Sequence, residues 1–295
     1  MQNDPTAPTA VRSAAPLLRR MWSEIKKEPA GTIGLVTIVT FAGLALLAPY
    51  LPLDPFASDS GARFLGPTRD HPLGTDPFGR DTLARLIFGM RTSLAVGFGA
   101  ATIGVVVGAT AGIISGYRGG SVDFMLQRTI DVFMAFPMLL LALALAAVFG
   151  PSLSNVILAL ALPIIPNAAR VSRATVLEVK SSGLLEPSQC LGTPWPRIVR
   201  SYILPNVAPS MIVVFTAYVG LAIRMEAALS WLGVGIREPN PSWGLMMSGP
   251  ALETARSAPL MIIAPGTMII LTVLAINFAG DSLRNWLDPI ARRSV

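Results

Sequence analysis

The apolar residues of this chain are clumped into blocks separated by short polar stretches. The blocks run at about 31–51, 93–116, 132–150, 154–171, 207–229 and 259–280. Each is roughly 20 residues long, the length at which a helix rising 1.5 Å per residue crosses a hydrocarbon layer of about 30 Å. The pattern predicts an all-α membrane protein of about six transmembrane helices, with both chain ends on one side of the bilayer.

Charge placement orients the spans. The basic N-terminus, Arg118 and Arg128, the stretch 170–200 and the tail with Arg284, Arg292 and Arg293 are assigned to the cytosol by the positive-inside rule. The loops 52–91, around Pro151 and 230–256 then face outward. Five arginines in the first outer loop run against the rule and are offset by five nearby aspartates. This gives a cytosolic segment at 1–30, a first transmembrane helix at 31–51 and an extracytoplasmic loop at 52–91. A core domain of five further transmembrane helices follows at 92–281, carrying a cytosolic loop at 174–205, and a cytosolic tail at 282–295. The polar first 30 residues place the apolar core too late for a cleaved signal, so the first span reads as an anchor.

Composition agrees. Of 295 residues, 52% are hydrophobic and only 14% charged, against about a quarter charged in an ordinary soluble domain. The net charge of +6 has no basic stripe, so nucleic acid is not an expected partner. Cys190 is the only cysteine, which excludes an intrachain disulfide and a multi-cysteine metal site.

Some features inside the spans suggest helix packing or a path. Gly104, Gly108, Gly112 and Gly116 recur every four residues and form one stripe along a helix face, where another backbone can approach closely. Prolines at 137, 163, 166, 209 and 265 free backbone carbonyls and bend helices, which fits either a transport path or kinked packing. Arg224 and Glu226 lie near the outer end of the fifth span. Two residues apart on a helix, they cannot pair with each other well. Together with Asn277 they are the candidate pathway or gate residues.

The chemistry that is missing is equally informative. The three lysines, at 26, 27 and 180, lie in no glycine-rich loop, so no P-loop is present. Gly97-Phe98-Gly99 has Thr102 where a dinucleotide fingerprint needs its third glycine. The lone histidine, His71, precedes Pro72 in the outer loop and reads as a turn residue; Asp76 and Asp81 are its only nearby candidate co-ligands. No base is available to activate a buried serine, so an intramembrane hydrolase is disfavoured, and no catalytic residue, metal site or cofactor is assigned to the chain. The nearly acid-free spans also disfavour an ion-coupled secondary carrier.

The most informative stretch is SSGLLEPSQCLGTPWPRIVRSYILPN, residues 181–206. It predicts two short helices: Gly192 ends the first in the left-handed conformation, Thr193 caps the second, and Pro194 opens it. Leu184, Leu185, Leu191, Trp195, Ile198, Val199 and Tyr202 give a cytosolic loop an apolar surface that invites a partner.

Glu186 and Gly192 at this spacing, followed by Leu204-Pro205, resemble the EAA loop of ABC importer permeases. HPLGTDPFGRD (71–81), GYRGGSVD (116–123), EAALSWLGVG (226–235), PNPSWG (239–244) and NFAGDSLRNWLDP (277–289) resemble the dipeptide/oligopeptide permeases of the DppC/OppC type, a group that includes nickel and glutathione importers. The resemblance implies a subunit of the bacterial plasma (inner) membrane with the type I ABC importer permease fold. It implies as partners a homologous second permease, two ABC ATPase subunits and an extracytoplasmic solute-binding protein, with di- or oligopeptides as cargo. Glu186, Leu191, Gly192, Arg197 and Pro205 are the positions it points to for ATPase coupling. Pro187, Ser188, Cys190 and Pro196 depart from the family pattern, and Pro187 is tolerable only if the first short helix starts at about Glu186.

Overall fold

A computed structural model describes residues 29–249 and 258–287. The N-terminal segment and the end of the tail expected in the cytosol lie outside these, as does part of the last outer loop. Among the described residues the chain is helical, with no strand beyond a single Thr75–Asp81 bridge.

Helix α1 (Pro29–Leu47) carries no charged residue and exposes Ile33, Val36, Val39 and Leu46, the surface expected against acyl chains. The outer loop leads to α2 (Thr82–Arg118), which at 1.5 Å per residue is about 55 Å long and so tilts or projects beyond the bilayer. Asp81 starts it: its Oδ1 accepts from the Ala84 N–H at 2.8 Å, a standard N-cap. Gly119, at φ +66°, ends it.

Next come α3 (Gly120–Met134) and α4 (Met138–Phe149). The apolar block 132–150 is therefore not one straight helix. Pro137 cannot donate a helical hydrogen bond, and the two helices meet there at 88°. At Pro163 and Pro166 the outcome differs. Helix α5 (Leu153–Ala161) passes through a tight 3-10 turn at Leu162–Ile164 into α6 (Ile165–Ser181), and Pro166 falls in a first turn where its missing N–H costs nothing. The pair makes one span, Leu153–Ser181.

The short helices α7 (Glu186–Cys190) and α8 (Trp195–Ile198) lead through a π turn, Val199–Ile203, into α9 (Leu204–Trp231). After the last outer loop and the four-residue α10 (Trp243–Met246), α11 (Leu260–Leu287) closes the chain. Among the described residues, five helical segments are long and apolar enough to cross a membrane, and six if the bent α3–α4 pair forms one span. Helix α2 is the hub, packed against α1, α3, α5, α6, α9, α10 and α11.

Candidate functional site

At the end of the bundle that the charge count assigns to the cytosol, the loop after α6 is built as two short helices. Its first turn uses Gly183 at φ +75°. Helix α7 begins at Glu186, which leaves Pro187 in the first turn, where no helical N–H bond is required. Gly192 sits at φ +68° with open space around it. The Thr193 N–H donates back to the Ser188 carbonyl at 3.0 Å, the closing bond of a Schellman ending. That bond decides a detail on which the sequence expectation fails: Thr193 belongs to the end of α7, so Pro194 becomes the extended cap residue and α8 starts one residue later, at Trp195.

Leu185 and Ile198 are buried and anchor the loop. Leu191, 83% exposed, with Leu184 and Trp195, forms an apolar patch on its surface. Glu186, Arg197 and Pro205 are also exposed. The Trp195 ring lies 6.2 Å from that of Tyr117 at the end of α2, and the Lys180 ammonium donates to the Tyr117 carbonyl at 3.2 Å. Helix α8 therefore packs directly against the end of α2.

From there the glycine stripe carries the contact along α6. Gly104 faces Ile164, Gly108 faces Ala168, Gly112 faces Ala169 and Ser172, and Gly116 faces Val176. A Cβ at Gly108 would stand 2.7 Å from that of Ala168, nearer than side chains come. The Ser172 hydroxyl donates to the Ala109 carbonyl at 2.9 Å. Helices α2 and α6 thus touch backbone to backbone, the geometry small residues permit.

At the opposite end, the expected outer face, ion pairs tie the first loop to the last. Asp76 shapes the turn before α2, its Oδ1 accepting from the Phe78 and Arg80 N–H groups at 2.8 and 2.9 Å, while its Oδ2 accepts from Arg80 Nε at 2.6 Å. Both terminal nitrogens of Arg80 reach Glu238, at 2.6 and 3.0 Å. Arg85, only 2% exposed, donates to the same carboxylate at 2.9 Å. Burial works against ionisation of Glu238, but Arg80 and Arg85 outweigh it and hold the carboxyl below its ordinary value. His71 Nδ1 lies 2.7 Å from Asp81, so Asp81 serves both helix cap and histidine, while Asp76 turns away to Arg80.

The three gate candidates are placed differently. Glu226 is fully buried, its Oε1 accepting from Ser230 and Ser242, each at 2.8 Å. Ser242 also caps α10, and the neighbouring Trp243 donates its backbone N–H to Ser93 and its indole N–H to the Leu86 carbonyl, both at 3.1 Å. Glu226 therefore ties α9 to α10, which is locked onto α2, and its carboxylate reaches no surface in this conformation. Arg224 and Asn277 are exposed, on α9 and α11.

Sequence reasoning missed Glu238, Asp123, Asp131 and the arginines they pair with. Asp123 accepts two 2.6 Å bonds from Arg173, and Asp131 one at 2.6 Å from Arg170. The only available signal was the matching of paired acids on one helix with paired bases on another.

Residues 104–293 match the family described as binding-protein-dependent transport system inner membrane component. The chain belongs to that family. Residues 16–67 match the N-terminal transmembrane domain of oligopeptide transport permease C. The permease is 38% identical over 272 residues to the dipeptide transport system permease protein DppC of Alkalihalophilus pseudofirmus, covering 92% of this chain and 89% of the relative. It is 35% identical to the glutathione transport system permease protein GsiD of Pectobacterium atrosepticum, over 92% and 90% of the two chains. The MetNI methionine ABC transporter, solved in inward-facing conformations, superposes with a TM-score of 0.58 at 20% identity, over 70% of the permease and 97% of that chain. The permease is thus an inner-membrane protein with the fold of an ABC importer permease, as the resemblance of its motifs implies.

Proposed function

We propose that the permease forms half of the translocation path of an ATP-driven importer of di- and oligopeptides. In this reading a homologous second permease supplies the other half, an extracytoplasmic binding protein delivers the peptide, and two separate ATPase subunits hydrolyse ATP. The observation that carries it is the cytosolic loop: an apolar patch around Leu191 and Trp195 on a fold anchored by Leu185 and Ile198 and coupled through Tyr117 to α2. Such a patch suits insertion into a cleft of a partner. ATP-driven movement there would pass through α8, α2 and the glycine seam to α6, switching access from outside to inside. The relatives named for dipeptide transport support the cargo class. Glutathione is the second reading, supported by the relative named for it.

The test uses the complex assembled from this permease and its own partners. Gly192→Val places a β-branched residue at φ +68°, where such side chains are strained by about 1–2 kcal/mol. Peptide-stimulated ATP hydrolysis is expected to fall several-fold while the basal ATPase rate of the partner subunits persists. Unchanged stimulation would remove the loop from the coupling role.

A further inference from the structure

Three charges lie deeper in the membrane than the sequence alone suggests. Positive-inside counting sends Arg128 and Arg170 to the cytosol, yet the packing register lifts them. Residues 168–172 of α6 lie against Gly108 and Gly112 of α2, in an apolar run of α2 bounded by Arg91 and Arg118 and centred near Gly104. At 1.5 Å per residue that level is about 6–12 Å from the middle of the run, inside a half-thickness of about 15 Å. Asp131 is brought to the same level by its bond to Arg170.

These groups are open on the surface of this chain. Asp131 and Arg170 are 45% and 47% exposed although paired at 2.6 Å. Arg128, 69% exposed, comes no nearer to Asp131 than 3.8 Å and stands over the Phe124 ring at 5.0 Å, a contact that holds a guanidinium in place without neutralising it. Exposed charge at this depth is costly against lipid, whereas α1 presents lipid with an uncharged face. The surface carrying the three groups is therefore turned away from lipid. Two guanidiniums around one carboxylate leave one cation in excess.

We propose that Arg128, Asp131 and Arg170 line the inner half of the translocation path and that Arg128 receives the terminal carboxylate of the passing peptide, the one anion every peptide carries whatever its side chains. The planar fork of arginine suits a carboxylate, and Asp131 with Arg170 forms the fixed polar wall beside it. This rests on the peptide-importer reading above.

The experiment uses the complete reconstituted complex in a Cys190→Ser background with Arg128→Cys added. Dialanine uptake is expected to fall about tenfold, the scale of one lost charge-assisted hydrogen bond. Aminoethyl methanethiosulfonate, which restores a cation at the thiol, is expected to recover most of the uptake, and the sulfonatoethyl reagent none. Dialanine is expected to slow labelling of the thiol, and dialanine amide to leave it unchanged. A thiol that neither reagent reaches, as for a lipid-facing or subunit-buried position, overturns the proposal. So does labelling with no dependence on the sign of the restored charge, or equal protection by peptide and amide. A wild-type complex that takes up no dialanine would overturn the peptide-importer reading instead, a result separable from all of these.

Discussion

Replacing Gly108 by leucine is expected to prevent the permease from accumulating as a folded protein. A side chain there meets the Ile165 carbonyl and the Ala168 methyl, and neither can yield, because one is backbone and the other has no rotamer to change. Overpacking a well-filled core costs about 1–3 kcal/mol, and separating two helices that touch backbone to backbone from Gly104 to Gly116 should exceed the top of that range. Even Gly108→Ala should be clearly destabilising. Gly43→Leu is the control: that glycine lies in α1 with nothing within 4 Å of a Cβ, and its substitution should stay within about 0.5 kcal/mol of wild type. Thermal denaturation of the purified complex, read by loss of monodisperse protein, measures both. Equal behaviour of the two variants would mean that the seam is not a tight contact.

The second large effect is expected at the outer ion pairs. Glu238→Ala removes the carboxylate that satisfies both Arg80 and Arg85, leaving Asp76 to face two guanidiniums. Breaking a fully buried pair costs about 3–5 kcal/mol. Because the Glu238 side chain is 41% exposed, screening reduces the expectation to about 2 kcal/mol. The first outer loop is then released from the last, and proteolysis from the outer face should cut within 52–81 far faster than in wild type. Adding Arg85→Met should restore part of the protection, since the stranded buried charge goes with it. The pH dependence has a definite sign. Glu238 is held below its ordinary value, so its contribution is full above the unfolded-state value of about 4.3 and is lost as pH falls through the lower folded value. Protection should therefore survive at about pH 5 and fail only in stronger acid. A loop equally resistant in the Glu238→Ala protein would show that the ion pairs do not hold it.

What the sequence disclosed and what it withheld follow one physical division. The apolar spans and the left-handed turn at Gly192 are written in local residue order, because each is set by neighbours a few positions away. The start of the third span is an exception, since a block of apolar residues says nothing of the 88° turn that Pro137 permits. The α8 start differs by one residue because a backbone bond from Thr193 to Ser188 outcompetes a side-chain cap. Long-range pairing was invisible for a different reason. Glu238 is 158 positions from Arg80, and nothing near either one marks the other. Glu226 was visible as an acid in a span, but its serine partner Ser242 comes from a loop that only the fold returns to α9. The depth of Arg128 and Arg170 likewise depends on how α6 slides along the glycine stripe.

The chain's single thiol offers the most direct test of the central claim that the loop 186–206 is where this permease meets a separate ATPase. Cys190 is exposed at the end of α7, next to Leu191. Membranes holding the whole complex, labelled at Cys190 with a benzophenone maleimide and irradiated, are expected to yield one adduct with an ATP-binding polypeptide, its amount changing when ATP is added. Full labelling of Cys190 with adducts only to lipid, or to no protein, would contradict the account.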